Sequence, residues 1–245
     1  MDKRKIMIVT QSNFRFKFKV SVSAGNTISP KFTFSAGAPV AKLDWGDGTA
    51  KDTLTSDVVK SHTFASTGVY TVSLVMNNCA NWITAIDVNT CKISDVGFLS
   101  QVTKLRKLIL LMGYTNGAMG SLSLSQLPAG MTQLFLYSTT STITGALNTM
   151  PAGMTQLYLN STTSTITGGA TQMLAKALQT ASLQNISLSQ VNVDDVLSRL
   201  ATDVAVMTYY YPNINLGPND AAPSAGGLAN KGILTTAGWT VTTTP

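Results

Sequence analysis

The sequence holds no glutamate and only one histidine, His62; all eleven of its acidic residues are aspartates. General acid–base catalysis draws mostly on His, Glu and Asp groups set within hydrogen-bond reach of a substrate. Enzymatic chemistry would therefore have to run through Asp, Lys, Tyr or Ser. No Ser/His/Asp triad pattern, phosphate loop or glycine-rich nucleotide fingerprint is present to carry it. The expectation is a protein that is not an enzyme and needs no cofactor. Charge is also scarce. Charged residues make up 11% of the chain, against roughly 25% in ordinary soluble domains. Ser, Thr, Asn and Gln supply most of the polar surface, a style that suits secreted and virion-surface β-proteins better than cytosolic enzymes.

Cysteine is limited to Cys79 and Cys91. They could pair, or each could be a small buried apolar residue. Two Cys and one His at these spacings cannot build a Cys–His metal site. Asp44 and Asp47, in one tight turn, are a thin ligand set for calcium, so no metal is expected. No apolar run approaches the roughly 18–20 residues of a membrane helix, and no membrane insertion is expected. The basic residues Lys3, Arg4 and Lys5 precede a short apolar run, Ile6–Val9, where a secretion signal needs roughly 7–15 apolar residues. The chain reads as extracellular in style without a secretion address.

What is present is a large apolar fraction, 44% of 245 residues, enough for two modest packed domains. The net charge of +6 is uneven: Lys3, Arg4, Lys5, Arg15, Lys17 and Lys19 crowd the first twenty residues, against Asp2 alone. Residues 1–12 read as a basic arm. Arg15, Lys17 and Lys19 read either as a docking surface for an acidic neighbour or as the solvated face of a strand. The remainder is nearly neutral and lacks the broad basic stripe of a nucleic-acid binder, so no nucleic-acid partner is expected.

Phe14, Phe16, Phe18, Val20 and Val22 alternate with Arg15, Lys17, Lys19 and Ser21, and period two predicts a half-buried strand. Further strands are expected at Lys31–Phe34, Val40–Asp44 and Gly68–Val75, with Asp47-Gly48 as a turn. Several short strands between turns imply a β-sandwich. The segments Trp45-Gly46-Asp47-Gly48-Thr49, Ser61-His62-Thr63-Phe64 and Gly68-Val69-Tyr70-Thr71-Val72, in this order, resemble the polycystic-kidney-disease (PKD) type of immunoglobulin-like domain over about residues 13–78. The resemblance implies an adhesive or spacer module in which the tryptophan fills the core and the glycine–aspartate turn shapes a loop. Trp45 stands where that family often has phenylalanine. His62 is expected to make a core or turn hydrogen bond, and Asp44 and Asp47 to stabilise their turn.

From residue 79 the rhythm changes to an internal repeat. Pro128-Ala-Gly-Met-Thr-Gln-Leu134 recurs as Pro151-Ala-Gly-Met-Thr-Gln-Leu157, a period of 23. The pattern L-x-x-L-x-L fits Ile83/Ile86/Val88, Leu105/Leu108/Leu110, Met131/Leu134/Leu136, Met154/Leu157/Leu159 and Leu183/Ile186/Leu188. These copies resemble leucine-rich repeats, which implies a short solenoid with a parallel β-sheet over residues 79–205. The expected fold class is thus mainly β: an immunoglobulin-like β-sandwich plus a leucine-rich-repeat solenoid. The sandwich can cap the first repeat. At the other end a helix is expected around Asp194–Leu200 with Asn192 as N-cap. A C-terminal cap, residues 206–245, should hold a loop at 213–227, a small helix at Leu228–Leu234 and a last strand at Gly238–Thr242.

In such a repeat the residues between the leucines point out of the sheet. The rows read Ala85/Asp87/Asn89, Lys107/Ile109/Leu111, Gln133/Phe135/Tyr137, Gln156/Tyr158/Asn160 and Asn185/Ser187/Ser189. Ile109, Phe135, Tyr137, Tyr158 and Asn160 are the candidate binding residues, through aromatic contact with a protein or a sugar; cross-strand packing is the competing reading. Tyr209-Tyr210-Tyr211 reads as half-buried packing near the cap. The tail resembles the ending of leucine-rich surface proteins of gut bacteria and of their phages. That implies a virion component contacting other virion or surface proteins, with a host glycan as a further ligand. A bacterial cell-surface adhesin is the alternative, and a homo-oligomer remains open.

Overall fold

The computed structural model describes residues 15–76, 81–88, 99, 101–111, 122–138, 143–161, 165–167, 178–204 and 212–245. The arm 1–12, both cysteines and Tyr209–Tyr211 lie outside the described residues. The fold is mainly β.

Seven strands form the first part: β1 (Arg15–Val22), β2 (Thr27–Ile28), β3 (Lys31–Phe34), β4 (Ala41–Asp44), β5 (Asp52–Leu54), β6 (His62–Thr63) and β7 (Gly68–Val75). One antiparallel sheet runs β1-β7-β4-β5. The alternation in β1 does what period two requires. Phe16, Phe18, Val20 and Val22 are buried, while Lys17 and Lys19 are exposed. Across the core Phe32 of β3 meets Phe16 edge-on, ring centroids 6.0 Å apart. Trp45 is buried just past β4 and stacks on His62 at 4.7 Å. Its indole N–H donates to Asp52 Oδ2 at 2.8 Å, so the ring buries its apolar body without stranding its one donor. Gly46 has φ +80°, and a Cβ there would strike the Thr71 carbonyl; only glycine fits this turn.

Among the described residues the second part adds ten strands: β8 (Ile83–Asp87), β9 (Lys107–Leu111), β10 (Leu122–Ser123), β11 (Gln133–Ser138), β12 (Ile143–Ala146), β13 (Gln156–Ser161), β14 (Thr165–Thr167), β15 (Thr180–Gln184), β16 (Asn213–Leu216) and β17 (Thr240–Thr243). Two helices, α1 (Gln190–Asp203) and α2 (Ala225–Thr236), connect the last three. The main sheet runs β17-β16-β15-β13-β11-β9-β8-β3. All neighbours are parallel except β3, which pairs antiparallel with β8. β3 therefore belongs to the first core and also closes the edge of the parallel sheet. A smaller parallel sheet, β10-β12-β14, lies along the same stack. Its Leu122, Ile143 and Ile166 are buried with the main-sheet leucines in one continuous core.

The apolar spine runs in register. Ile86 pairs with Leu108, Leu108 with Leu134, and Leu134 with Leu157. The next partner of Leu157 is Ala181. The expected copy Leu183/Ile186/Leu188 is therefore out of register; Leu178/Ala181/Leu183 occupies those positions. Ala181 conceals the copy because one methyl group carries little hydrophobic signal. Ile186 and Leu188 are buried beyond the strand end. Asn185 and Ser187 both sit at φ +57°, a left-handed conformation that cannot continue a strand. The segment 213–227, expected as loop, begins with β16. Ile214 and Leu216 face the core between Asn213 and Asn215, a short alternation hidden by the surrounding Pro and Gly. α1 is capped by Ser189, not Asn192: the Ser189 hydroxyl accepts the Asn192 N–H at 3.3 Å.

Threonines tie one turn of the stack to the next. Thr155 N–H and Oγ1 both donate to the Thr132 carbonyl, at 2.7 and 3.0 Å. Thr132 does the same to the Arg106 carbonyl, at 2.8 and 3.1 Å. The Thr of each Pro-Ala-Gly-Met-Thr-Gln-Leu copy thus satisfies a carbonyl at a strand entrance.

Asp220 closes the turn after β15. It is buried and accepts the Leu188 N–H at 2.9 Å. Burial pushes its carboxyl up to about 6 from 3.8, against the opposing pull of backbone N–H groups at Leu188 and Ile186. A raised folded-state value means that the unfolded chain ionises first as pH rises. The stabilisation is whole below the unfolded value of 3.8 and is lost as pH climbs through about 6. That loss amounts to at most about 3 kcal/mol. Urea unfolding from pH 4 to 7 should show Asp220→Asn flattening the pH profile; a slope equal to the parent's would contradict this origin.

Candidate interaction face

The outward side chains of the parallel strands form columns across the sheet, because register carries each residue onto its neighbour. The central column is Asp87, Ile109, Phe135, Tyr158, Ser182, Asn215 and Thr242. Ser182 takes the place expected for Ser187, following the register of β15. Beside it, Tyr137 pairs with Asn160, and Asn160 with Gln184. The five candidate residues Ile109, Phe135, Tyr137, Tyr158 and Asn160 thus lie on one face, across β9, β11 and β13.

The aromatic rings form a ladder. Phe135 and Tyr158 stack at 4.8 Å with 12° between their planes. Tyr137 leans on Tyr158 at 6.3 Å. From β9 the Lys107 ammonium lies 5.8 Å from the Phe135 centroid, a cation–π contact. Both faces of Phe135 are therefore engaged, and it offers the outside only an edge. Burial pushes the Tyr137 phenol up, and the adjacent Tyr158 adds to the shift. Asn160 has a structural duty as well: its Oδ1 accepts Asn185 Nδ2 at 3.0 Å, and Asn185 Oδ1 accepts Asn219 Nδ2 at 2.6 Å. This amide ladder links three successive turns. Its two upper members were missed because Asn185 was assigned to a strand and Asn219 to a loop.

Two clefts flank the ladder on the same face. One, about 240 Å³, lies where β3 meets β8 and β9 and is lined by Lys31, Thr33, Asp57, Asp87, Lys107 and Ile109. Lys31 pairs with Asp57 at 3.7 Å, and Thr33 Oγ1 donates to Asp57 at 2.6 Å. The Thr33 hydrogen bond, with Ser56 and the Lys31 charge behind it, holds the Asp57 carboxyl below its usual range. The other, about 290 Å³, lies at the far end and includes Gln184, Asn215, Pro218 and Thr242.

No family model, no curated protein and no solved structure matches this chain.

The basic residues stand apart from this face. Lys17 and Lys19 are exposed on β1, and Arg15 begins the same strand, in register with Val75. Lys42 of β4 joins them: it lies opposite Val75, which lies opposite Arg15. The alternation of Ala41–Asp44 carries the signal for Lys42, yet no linear cluster marks it. Asp44, two residues along β4 from Lys42, pairs with Lys51 at 3.0 Å.

His62 is held on three sides, by Trp45, by Phe64 edge-on at 4.7 Å, and by Asp47 Oδ2 at 2.7 Å. Partial burial would raise the Asp47 carboxyl, but hydrogen bonds from Thr49 and His62 outweigh it and hold the group at about 2. Asp44 and Asp47 both accept backbone N–H groups of their own turn, from Gly46 and Thr49. Among the described residues no three of His, Cys and Asp gather as metal ligands. No helix among them is long and apolar enough to cross a membrane.

Proposed function

We propose that this chain is a non-enzymatic binding and structural protein that meets its partners through the outward face of its parallel sheet. The observation that carries the reading is the Lys107–Phe135–Tyr158–Tyr137 ladder, an aromatic ridge fixed on a rigid sheet in a chain of few charges. Binding energy concentrates in pre-ordered aromatic and cationic anchors. Ring edges and phenol hydroxyls suit a protein surface better than a flat stacking ligand, since the ladder consumes the ring faces of Phe135. The PKD-like immunoglobulin module and the leucine-rich-repeat module belong to the same reading. The antiparallel sheet built around Trp45 and Gly46 supports the first, and the aligned parallel strands support the second.

The setting proposed is the surface of a bacteriophage particle (tail, fibre or head), with Arg15, Lys17, Lys19 and Lys42 docking against an acidic neighbouring subunit. The alternative, a bacterial surface adhesin, is favoured by the uncharged hydroxyl- and amide-bearing side chains of Ser182, Asn215 and Thr242 that continue the column beyond Tyr158. Mass spectrometry of purified particles and of washed cell envelopes separates the two; absence from particles ends the virion reading. Phe135→Ala and Tyr158→Ala should weaken binding to the partner recovered there by about tenfold or more, while the lost ring stack costs stability only about 0.5–1.5 kcal/mol. Unchanged binding would remove the ridge from the interface.

A further inference from the structure

We infer that the uncharged shelf beside Tyr158, across β15, β16 and β17, is a subsite for a neutral glycan. The inference rests on the reading of this face as a binding surface and shares Tyr158 with it, but its other residues lie on the strands beyond. Tyr158 has two ring faces. One lies against Phe135 of β11, and Tyr137 approaches from that strand too. Since the ring stands nearly parallel to that of Phe135, its second face looks toward β15. There the residue in register is Ser182, which is too short to cover a phenol ring.

Beyond that ring face the shelf continues as Ser182, Asn215 and Thr242, flanked by Thr180 and Gln184. Every one of these carries a hydroxyl or an amide and none carries a charge. The shelf ends in the cleft of about 290 Å³ that Gln184, Asn215 and Thr242 share with Pro218. An aromatic wall, a floor of short side chains and a rank of neutral donors and acceptors match the two sides of a pyranose. Its axial C–H face is apolar and packs on a ring; its equatorial hydroxyls both donate and accept. None of the five shelf residues is a cation, and Lys231 Nζ, at the edge of the cleft, donates to Thr243 Oγ1 at 2.9 Å. A protein partner would find little to anchor on, because hot spots need large aromatic or arginine side chains in pockets. Adjacent strands lie about 4.8 Å apart, so the three steps from β13 to β17 span roughly 14 Å, enough for a short oligosaccharide lying across the strands.

The test uses the whole chain and a panel of linear neutral hexasaccharides built from glucose, mannose, galactose or N-acetylglucosamine. Binding is read by saturation-transfer NMR and calorimetry. At least one member should bind. Tyr158→Ala should weaken that binding about tenfold or more. Ser182→Tyr should abolish it while leaving the melting temperature at or above the parent's, since a third ring would extend the ladder and occupy the shelf. Failure of the whole panel overturns the inference, and so does binding that survives both substitutions. Phe135→Ala separates this result from the protein-partner reading. If that variant loses the protein partner while no sugar binds the parent, the shelf is refuted and the ridge stands.

Discussion

Leu157→Ala is expected to lower the free energy of unfolding by about 3 kcal/mol, within the range for burying a methyl where an isobutyl group was. Leu157 is fully buried at the centre of the spine, between Leu134 and Ala181. Its neighbour on the β15 side is already an alanine, so the substitution sets two methyl groups side by side and leaves a void that the parallel strands cannot close. A sheet held by hydrogen bonds on both sides of β13 has little room to collapse inward. The damage should spread to nearest neighbours, because a stack of turns holds each turn through the two beside it. Amide exchange should therefore accelerate in β11 and β15 as well as β13. Leu157→Met, which keeps the volume, should cost less than about 1.5 kcal/mol. Urea unfolding with matched m-values measures both, and a loss below about 1 kcal/mol for the alanine variant would mean that the spine is not the source of stability.

Trp45→Ala carries the other large expected effect, about 4 kcal/mol. The indole is 1% exposed, stacks on His62 and donates to Asp52. Its loss empties the core of the first sheet and leaves the Asp52 carboxylate without its donor. Trp45→Phe separates the two contributions. A phenyl ring keeps the stack on His62 and gives up the hydrogen bond and some volume, so a smaller loss of about 1–2 kcal/mol is expected. If the two variants were equally destabilised, the hydrogen bond and not the packed ring would be the dominant contribution.

Both residues illustrate what could be read before the fold was known. Trp45 stood in a turn sequence whose chemistry is local: Gly46 must be left-handed, and Asp47 must bind its own backbone. Leu157 stood in a seven-residue string repeated after 23 positions, and identical strings fold alike. Strand β1 was legible for the same reason, since strict alternation over eight residues admits one regular structure. The misplaced copy at Leu183/Ile186/Leu188 shows where this reasoning ends. Three apolar residues at the right spacing are a good pattern, and they are all buried. Yet the strand takes Ala181 and Leu183, because two left-handed residues and the Asp220 carboxylate turn the chain away at Asn185. Those constraints come from a residue more than thirty positions downstream.

The candidate face divides in the same manner. Ile109, Phe135 and Tyr158 could be placed in one column from the repeat alone, because parallel pairing preserves register from turn to turn. That the rings stack on each other, that Lys107 covers the last of them and that Lys42 joins the basic set could not. The sequence by itself determined the mainly β class, the inward leucines and the outward aromatics, all of which follow from local periodicity. Tertiary structure alone decided that β3 closes the parallel sheet, that Asn160 serves an amide ladder, and that one face of Tyr158 looks onto a polar shelf. Each of those depends on which residue stands across from which, and that is set by the packing of distant turns rather than by the spacing of neighbours along the chain.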